Sequence, residues 1–492
     1  MTTATGHTLL KNIKNSFFGG QGEYKLVTGE VTERAYLDSA ASCLMMKPAF
    51  EASTQFLEHY SNTHSDTHNS ARISNSMYSW AHHKVLDFLG ADAKEYTCIF
   101  LGSGATAGIN RVAQILSQSR PDKPGVLISL MEHHSNDLPH RQYHEFAEHI
   151  GCEGEGVELG SVCMEDLDKA FKRHENKIDY LAVTAASNVT GIINPVYDIA
   201  KMAHENDALV VIDASQILAH SPITVNSPDG DPAKSLDAIV FSGHKVYAPG
   251  SPGALVIRRS LLEKSEPVEL GGGMVKTVFK TEYSVSDQFP DREEAGTPNI
   301  FGSINLGMAL DVMMRIGMDV IAEHEKEMLS LLFAGLKDID GVTIYGNNCL
   351  KAYARTATIS FNLADVDHEM LALILNDHFN LAVRNECFCA HPYVREMILL
   401  QLWEIDPDLD EVEIEAKKGM VRASFGLNND IKDVRRLIDA IATIAANKPF
   451  YTDQYEMDDQ SNYAHKSVKS DWHTYFSPED TLAALLNTQH QR

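Results

Sequence analysis

The sequence predicts an α/β fold, with a large doubly wound domain around a mostly parallel sheet and a smaller α+β domain at its C-terminal side. Two observations lead to this prediction. Short apolar runs alternate with longer helical patterns through the middle of the chain, which is typical of βαβ units. After about residue 315 the pattern changes to one long helix, several short strands and two further helices.

Six apolar runs are predicted to be strands of the large sheet. Most are apolar at nearly every position, as expected for strands that helices cover on both faces. The strands are YTCIFL (96–101), GVLISL (125–130), YLAVTAA (180–186), ALVVID (208–213), AIVFSG (238–243) and ALVIRR (254–259). The helices predicted between them are 106–118, 138–150, 163–174 and 195–206.

The change of pattern also sets the expected domain boundaries. We expect an N-terminal segment at 1–35, the large domain at 36–315, the small domain at 316–449 and a polar tail at 450–492. The small domain begins with the helical pattern MDVIAEHEKEMLSLLFAGLKDI, and its strands are predicted at VTIYG, TATISFNL, LAVR and MVRASFG. In the tail, SPEDTLAALLNT predicts one short capped helix.

Composition limits the classes of function that this chain can have. Its 492 residues are 44% hydrophobic, which is enough for a large core. The formal net charge of −26 repels phosphate backbones and argues against a nucleic-acid partner. No apolar run approaches the roughly 18 residues of a membrane helix, and the N-terminus lacks a signal-peptide core. We therefore expect a cytoplasmic protein with no membrane partner.

Two patterns resemble metal ligands, and both have simpler explanations. Cys387 and Cys389 form a Cys-x-Cys pair with no second thiol pair nearby. His140 and His144 lie four apart on a predicted helix, but chance pairs are common in a chain with 22 histidines. Structural zinc sites need four ligands, so we expect no metal. The odd number of cysteines, seven, also argues against a disulfide framework.

Polar residues follow the predicted strands at the point where each strand ends. Because parallel strands end at the same edge of a sheet, these side chains should form one ligand site. The first strand is followed by GSGATAGIN, whose small residues let backbone N–H groups approach an anion at a helix start. The residues after the strands are Thr106, His133, His134, Ser187, Asn188, Asp213, Gln216, Ser242, His244 and Lys245.

This combination of groups predicts pyridoxal phosphate chemistry, although each residue alone has a structural explanation. A lysine is needed to form a Schiff base with the cofactor aldehyde, and burial can lower its pKa so that it reacts as a neutral amine. A carboxylate keeps the pyridine nitrogen protonated, and a Gly-rich turn holds the phosphate. Lys245, Asp213 and the turn before Thr106 meet these three requirements.

The motifs that contain these residues resemble a known family. They are YLDSAAS (36–42), EHHSNDLP (132–139), SNVTGIINPV (187–196), VIDASQ (211–216), SGHKVYAPGSPG (242–253) and EAGTPN (294–299). Together they are similar to the class V aminotransferase superfamily of fold-type I pyridoxal-phosphate enzymes, and most similar to group II cysteine desulfurases and selenocysteine lyases. The resemblance extends over roughly residues 35 to 445, in the order of the family.

The resemblance implies a role for each residue that matches a motif. Lys245 would bind the cofactor and move the substrate proton, and Asp213 would pair with the pyridinium nitrogen. Gln216 would bond the ring hydroxyl, and His133 would stack on the ring. Thr106, Ala105, Ser242 and His244 would surround the phosphate. Thr297 would reach the phosphate of a second subunit, which implies a homodimer with shared sites.

Three further residues would bind or attack the substrate, a small amino acid. Arg422 in MVRASFG would hold the α-carboxylate in a bidentate contact, and Asn188 would touch the substrate or the ring oxygen. Cys389 in VRNECFCAHP stands where the family has its catalytic cysteine, and Arg384 is a basic residue that favours a thiolate there.

The chain also departs from the family pattern. Ala105 stands where the family usually has the first of two threonines, so backbone N–H groups must hold more of the phosphate. Glu386, Cys387 and Phe388 stand where group II desulfurases carry histidines, and an acidic neighbour disfavours a thiolate. The segment 393–420 is longer than the family pattern and could form a lid, an interface or a simple loop.

Three functions remain open at this point. In the first, the Cys389 thiolate takes sulfur from L-cysteine as a persulfide, L-alanine is released, and the sulfur passes to an acceptor protein. In the second, Lys245 and Asp213 serve another class V reaction, such as β-elimination, transamination, epimerisation or decarboxylation, and Cys389 is an inert loop thiol. In the third, the chain is a non-enzymatic scaffold, which the presence of both Lys245 and Asp213 disfavours.

Overall fold

The structure is a computed structural model that describes residues 3–405, 408–411, 414, 418–458, 462–468 and 472–489. Two segments noted above, 393–420 and the tail 450–492, therefore lie partly outside the described residues. All structural statements below concern the described residues.

The helices lie both within the strand region and at the two ends of the chain. In chain order they are α1 (Thr3–Ile13), α2 (Lys47–Phe56), α3 (Asn69–Phe88), α4 (Gly104–Ser119), α5 (Leu138–Tyr143), α6 (Met164–Arg173), α7 (Val196–Glu205), α8 (Arg259–Leu262), α9 (Ile300–Ile316), α10 (Met318–Lys337), α11 (His368–Phe379), α12 (His391–Ile405), α13 (Ile431–Ala446), α14 (Lys448–Thr452) and α15 (Pro478–Gln489).

The strands form one large sheet, one smaller sheet and several two-stranded pairs. In chain order they are β1 (Glu23–Lys25), β2 (Val31–Glu33), β3 (Ala35–Tyr36), β4 (Tyr96–Leu101), β5 (Gly125–Ser129), β6 (Phe146–Ile150), β7 (Ile178–Thr184), β8 (Leu209–Asp213), β9 (Ala238–Ser242), β10 (Gly253–Arg258), β11 (Val275–Val278), β12 (Tyr283–Val285), β13 (Val342–Tyr345), β14 (Thr358–Leu363), β15 (Leu381–Ala382), β16 (Arg384–Glu386), β17 (Met420–Ser424), β18 (Tyr455–Met457) and β19 (Tyr463–His465).

The large sheet has the strand order β4-β10-β9-β8-β7-β5-β6. Strands β6, β5, β7, β8 and β9 are parallel, whereas β10 is antiparallel to both of its neighbours. Helices α4, α6 and α7 connect strands of this sheet, so that the predicted doubly wound, mostly parallel sheet is confirmed. All six predicted strands are present, and their bounds differ from the prediction by at most two residues.

Both faces of the large sheet are buried, which explains why its strands are apolar at nearly every position. In β5, Val126 and Ile128 pack with Ile109 and Ile115 of α4 on one face. Leu127, between them, belongs to the core on the opposite face. Successive side chains of a strand point to opposite faces, so a strand covered on both sides needs apolar residues throughout.

The small α+β unit is built on an antiparallel sheet with the order β13-β14-β17-β16. Helices α10, α11 and α13 share its core, in which Leu332, Ile359, Phe361, Val421 and Leu437 are buried. The predicted long helix and short strands are therefore present. The predicted strand LAVR is divided, because β15 pairs with β3 whereas β16 pairs with β17.

The predicted helix 138–150 is wrong. Helix α5 ends at Tyr143, and residues 146–150 form β6 at the edge of the large sheet. The reason is tertiary pairing, because β6 runs parallel to β5 and the ring of Phe146 lies over Gly125, where a Cβ atom would be 2.0 Å from the ring. His140 and His144 are thus not on one helix.

His140 and His144 are bonded to protein groups. His144 Nε2 lies 3.0 Å from Asp179 Oδ2. His140 Nε2 lies 3.0 Å from Asn136 Oδ1, which can only accept, so Nε2 carries the hydrogen and Nδ1 accepts from the Tyr180 hydroxyl at 2.7 Å. In the described part of the chain, no group of three or more His, Cys, Asp or Glu side chains is placed to hold a metal ion.

Part of the predicted tail packs on the small unit. Strands β18 and β19 form a hairpin beside α11, and the Tyr455 hydroxyl donates to Asp377 Oδ2 at 2.9 Å. The predicted helix in SPEDTLAALLNT is confirmed as α15, and Ser477 Oγ accepts from the backbone N–H of Asp480 near its start. None of the helices in the described residues has the length and apolar composition needed to cross a membrane.

Lowering the pH should destabilise the fold through His140. Burial lowers the pKa of His140 to about 3. Below about pH 6.5 the imidazole therefore becomes protonated in the unfolded chain but stays neutral in the folded chain. When the pH is lowered from 7 to 5, this residue should decrease the free energy of unfolding by about 2 kcal/mol. Urea unfolding of His140→Gln should therefore depend less on pH than that of the unmodified protein.

The matched control is His83→Gln at an exposed histidine, which should keep the original pH dependence. An identical pH dependence for His140→Gln and the unmodified protein would contradict the assignment of a buried neutral imidazole.

Candidate active site

The ends of the parallel strands and one loop of the small unit enclose a cavity of about 500 Å³. Most of the residues selected from the sequence line it. They are Ala105, Thr106, His133, Asn188, Asp213, Ser242, His244, Lys245, Arg384, Cys389 and Arg422. Among the selected residues, the cavity therefore brings together positions up to 317 apart, from Ala105 to Arg422.

Four residues selected from the sequence do not line this cavity, namely His134, Ser187, Gln216 and Thr297. Gln216 is buried nearby, and its Nε2 donates to the carbonyl of Ala40, itself a cavity residue, at 2.8 Å. Thr297 is exposed and lines a neighbouring groove of about 470 Å³, which also reaches Thr106. The positions of Gln216 and Thr297 do not test the cofactor contacts that the resemblance implies for these two residues.

Lys245 lies in a short 3₁₀ turn directly after β9, at the edge of the cavity. Burial lowers the pKa of its amine, and the positive charge of Arg422 lowers it further, while Asp213 opposes both effects. A larger fraction of the amine is therefore neutral at physiological pH, which a nucleophilic lysine requires.

Asp213 ends β8 and is 6% exposed. Its Oδ1 accepts the backbone N–H of Ser215 at 2.9 Å, and no other described residue bonds its second oxygen. The hydroxyl of Ser215 is buried in the cavity wall without a hydrogen-bond partner among the described residues. Buried polar atoms without partners are costly, so this wall is suited to a polar ligand.

His133 directly precedes the 3₁₀ turn His134–Asn136 that follows β5, and its protonation is determined by its contacts. Its Nδ1 accepts the backbone N–H of Ser135 at 3.1 Å, so in the neutral ring the hydrogen is on Nε2. Burial lowers the pKa of His133 to about 4, and the charge of Lys245 contributes. The ring is therefore neutral near pH 7.

Glu132 holds this turn from behind and was not selected from the sequence, although EHHSNDLP contains it. Its buried carboxyl group accepts from the Ser129 hydroxyl, from Asn136 Nδ2 at 2.5 Å and from the backbone N–H of Thr184 at 2.7 Å. Burial raises the pKa of Glu132 to about 8. The bond to Thr184 joins the turn to β7, and so fixes His133 relative to the neighbouring strand.

The start of α4 forms a concave, polar end of the cavity. Gly104 has a φ of 62°, and the backbone N–H of Ala105 donates to Ser242 Oγ at 2.8 Å. Gly253 of β10 passes so closely that a Cβ atom there would lie 2.3 Å from the backbone of Gly104. Glycine at both positions therefore lets the helix start sit against the sheet. The 16-residue helix directs its positive end at the cavity, which favours an anion.

The side chains around this helix start are held by each other. Thr106 Oγ1 lies 2.8 Å from Ser135 Oγ, and His244 Nδ1 lies 3.2 Å from Ser42 Oγ. Burial lowers the pKa of His244 to about 4, and the nearby Lys245 lowers it further.

Arg422 reaches the cavity from β17 of the small unit. Its Nη1 donates to the carbonyl of Asn188 at 3.0 Å and its Nη2 donates to Asp38 Oδ1 at 3.1 Å. Its Nε is buried without a hydrogen-bond partner in the described chain. Burial raises the pKa of Asp38, although Arg422 opposes this effect. Asp38 is a second residue that the sequence analysis missed, since YLDSAAS was noted only as a motif.

Cys389 lies in the loop between β16 and α12 and lines the cavity. It is exposed, and its carbonyl accepts the backbone N–H of His134 at 2.7 Å. The amide of Asn188 donates through Nδ2 to the carbonyl of Phe388 at 2.7 Å. His134 and Asn188, which both follow strands of the large sheet, thus fix the cysteine loop against the strand ends.

Comparison with known proteins agrees with this geometry. The family model described as aminotransferase class-V matches residues 35–437. A cysteine desulfurase of Shigella flexneri is 31% identical over 416 residues, which cover 83% of this chain and 93% of that protein.

Two solved structures have a similar fold. The apo structure of a cysteine desulfurase from Thermococcus onnurineus NA1 has a TM-score of 0.72 at 27% identity and covers 84% of this chain and 95% of that chain. The cysteine desulfurase CsdA (S-sulfonic acid) from Escherichia coli has a TM-score of 0.68 at 26% identity, with the same coverage of both chains.

Replacing Asp38 with Asn should strengthen the binding of a small amino acid. Asp38 now offsets the charge of Arg422, so replacing its carboxylate with a neutral amide leaves more positive charge for a ligand carboxylate. We expect the dissociation constant of L-alanine, measured by calorimetry, to fall about tenfold, or roughly 1.4 kcal/mol. The urea midpoint should fall as well, since a buried cation loses its partner.

Asp365→Asn is the matched control, because that carboxylate is 87% exposed and pairs with Lys448. It should change neither value. Weaker binding of L-alanine by Asp38→Asn would show that Asp38 instead orients Arg422 for the ligand.

Proposed function

The chain belongs to the class-V aminotransferase family, and on this premise we propose that it is a pyridoxal 5'-phosphate-dependent cysteine desulfurase that converts L-cysteine to L-alanine. The observation that supports this most directly is one cavity that contains a half-buried lysine, an unpaired carboxylate oxygen and an exposed cysteine. The similarity to cysteine desulfurases along more than four-fifths of the chain agrees with this reaction.

The polar groups of the cavity fit pyridoxal phosphate. The start of α4, with Thr106, Ser242 and His244, would hold the phosphate, and Lys245 would hold the aldehyde carbon. Asp213, with its unbonded second oxygen, would pair with the pyridinium nitrogen, and His133 would cover one face of the ring. The unpaired hydroxyl of Ser215 offers a further hydrogen bond. When bound, the cofactor serves as an electron sink for negative charge at the substrate Cα.

The side chains of the protein then bind the substrate and move its proton. Arg422 would bind the α-carboxylate, and Arg384, exposed at the cavity wall, would add positive charge. The amine of Lys245 would take the proton from Cα, because its lowered pKa leaves it neutral and able to accept one.

Cys389 would carry out the sulfur transfer. Its thiolate attacks the sulfur of the substrate, so that an S–S bond forms while the Cβ–S bond breaks. A proton delivered to Cβ then completes the methyl group of L-alanine, and Cys389 is left as a persulfide. Because Cys389 is exposed, the thiol of an acceptor protein can reach the outer sulfur. The cytoplasm is the compartment that we propose for this reaction.

We further propose that the protein acts as a homodimer with shared sites. Thr297 is exposed in a groove beside the site and would complete the phosphate site of the second copy. The hairpin of β11 and β12 exposes Val278, Phe279 and Tyr283 by 64%, 63% and 58%. Three large exposed apolar side chains on one hairpin suit a contact with another copy of the chain.

Cys389→Ala should abolish sulfide release without preventing substrate binding. With L-cysteine and dithiothreitol, sulfide and L-alanine should fall to background, while L-cysteine still changes the cofactor absorbance, because Lys245 and Arg422 remain. Cys349→Ala, at the other exposed cysteine, is the control and should keep full activity. Sulfide release by Cys389→Ala, or pyruvate and ammonia as products of the unmodified enzyme, would refute the proposed reaction.

Mixed dimers test the role of Thr297 in the second subunit. Lys245→Ala and Thr297→Val should each impair the homodimeric enzyme, the second by weakening cofactor binding. A mixed dimer of the two variants should regain about half of the original activity, because one of its two sites then contains both native residues. No recovery in the mixed dimer would place Thr297 in the site of its own chain.

A further inference from the structure

Phe388, the residue before Cys389, covers the guanidinium group of Arg422. The Cζ atom of Arg422 lies 4.6 Å from the centre of the Phe388 ring. The ring is 8% exposed and lines the cavity, and Arg422 is 3% exposed. A cation over an aromatic face is attracted to it, and the attraction is stronger where water is excluded.

Hydrogen bonds close a circuit through the same residues. Arg422 Nη1 donates to the carbonyl of Asn188, and Asn188 Nδ2 donates to the carbonyl of Phe388. The ring of Phe388 returns to Arg422. These contacts therefore link the positions of three parts of the chain, namely β17, the turn after β7 and the loop before α12.

The backbone passes any movement of Phe388 to Cys389. Phe388 and Cys389 have φ values of 52° and 55°, a left-handed conformation that residues with side chains adopt only where their surroundings enforce it. The carbonyl of Cys389 is held by the backbone N–H of His134 at 2.7 Å. The backbone of Cys389 is thus constrained on both sides, and its position depends on that of Phe388.

The Phe388 ring and a carboxylate contact Arg422 through different atoms. The guanidinium carbon lies over the ring of Phe388, whereas a carboxylate binds the N–H groups of the guanidinium. The two contacts can therefore exist together. A bound carboxylate would fix the position of the guanidinium, and the ring of Phe388 would follow it.

We propose that Phe388 is a positioning residue that couples the binding of the substrate carboxylate at Arg422 to the placement of the Cys389 thiol. This inference rests on the proposed desulfurase function and adds a requirement on the substrate. The substrate must be a thiol that also carries a carboxylate, because the carboxylate bound at Arg422 is what places the Cys389 thiol. A short thiol without a carboxylate does not bind Arg422 and therefore does not place the Cys389 thiol.

Phe388→Leu removes the aromatic face with little change in size, and Phe388→Trp keeps it. For Phe388→Leu we expect KM for L-cysteine to rise about tenfold and kcat to fall, whereas Phe388→Trp stays close to the unmodified enzyme. Phe450→Leu, at a phenylalanine that is 57% exposed and does not line the cavity, is the control and should change neither constant.

A second measurement follows Cys389 directly and does not depend on turnover. The rate at which iodoacetamide alkylates Cys389 in the holoenzyme is measured by mass spectrometry in sodium acetate and in sodium chloride of equal ionic strength. Acetate is a carboxylate too small to shield the thiol. It should change the rate at least about threefold in the unmodified protein and in Phe388→Trp, but not in Phe388→Leu.

The outcomes separate this inference from the function on which it rests. Sulfide release by Cys389→Ala refutes the desulfurase function itself. If Cys389→Ala is inactive but Phe388→Leu keeps the original KM and the original acetate effect, the function stands and the coupling is refuted. If Phe388→Trp behaves like Phe388→Leu, any change at this position disturbs the loop, and the role of the aromatic face is refuted.

Discussion

The parallel pairing of β7, β8 and β9 is the constraint on which the site depends. Thr184 pairs with Asp213 and Asp213 pairs with Val240, so these strands end side by side. The turns that follow them then bring Asn188, Asp213 and Lys245 to one edge. A shift of one residue in this register would turn Asp213 to the opposite face of the sheet, because successive side chains alternate.

The small unit completes the site through contacts that cross from one sheet to the other. The backbone N–H of Leu427, shortly after β17, donates to the Tyr247 hydroxyl at 2.9 Å, and Tyr247 lies two residues after Lys245. Ser360 Oγ of β14 donates to the carbonyl of Val189, next to Asn188. The two turns that carry Lys245 and Asn188 into the site therefore also bond to β14 and to the segment after β17, the strand that carries Arg422.

Positively charged side chains outnumber negatively charged ones in and beside this cavity. The positive groups are Lys245, Arg422 and Arg384, and the negative groups are Asp213 and Asp38. The pKa of Lys245 is lowered and that of Asp38 is raised, and both shifts favour the uncharged form of the side chain. Burial is the first cause of both shifts, and the opposite charges only moderate them. The cavity thus has a net positive character that suits phosphate and carboxylate groups.

The sequence alone determined the strand and helix pattern and the identity of the residues at the strand ends. Both are local properties, since apolar runs and the polar residues after them can be read within a few positions. Only the tertiary structure decided that 146–150 is an edge strand, that Gln216 bonds Ala40, and that Arg422 meets Asp38 and Asn188. Arg422 and Asn188 are 234 positions apart, and no local periodicity relates residues at that distance, because their contact depends on how two sheets pack.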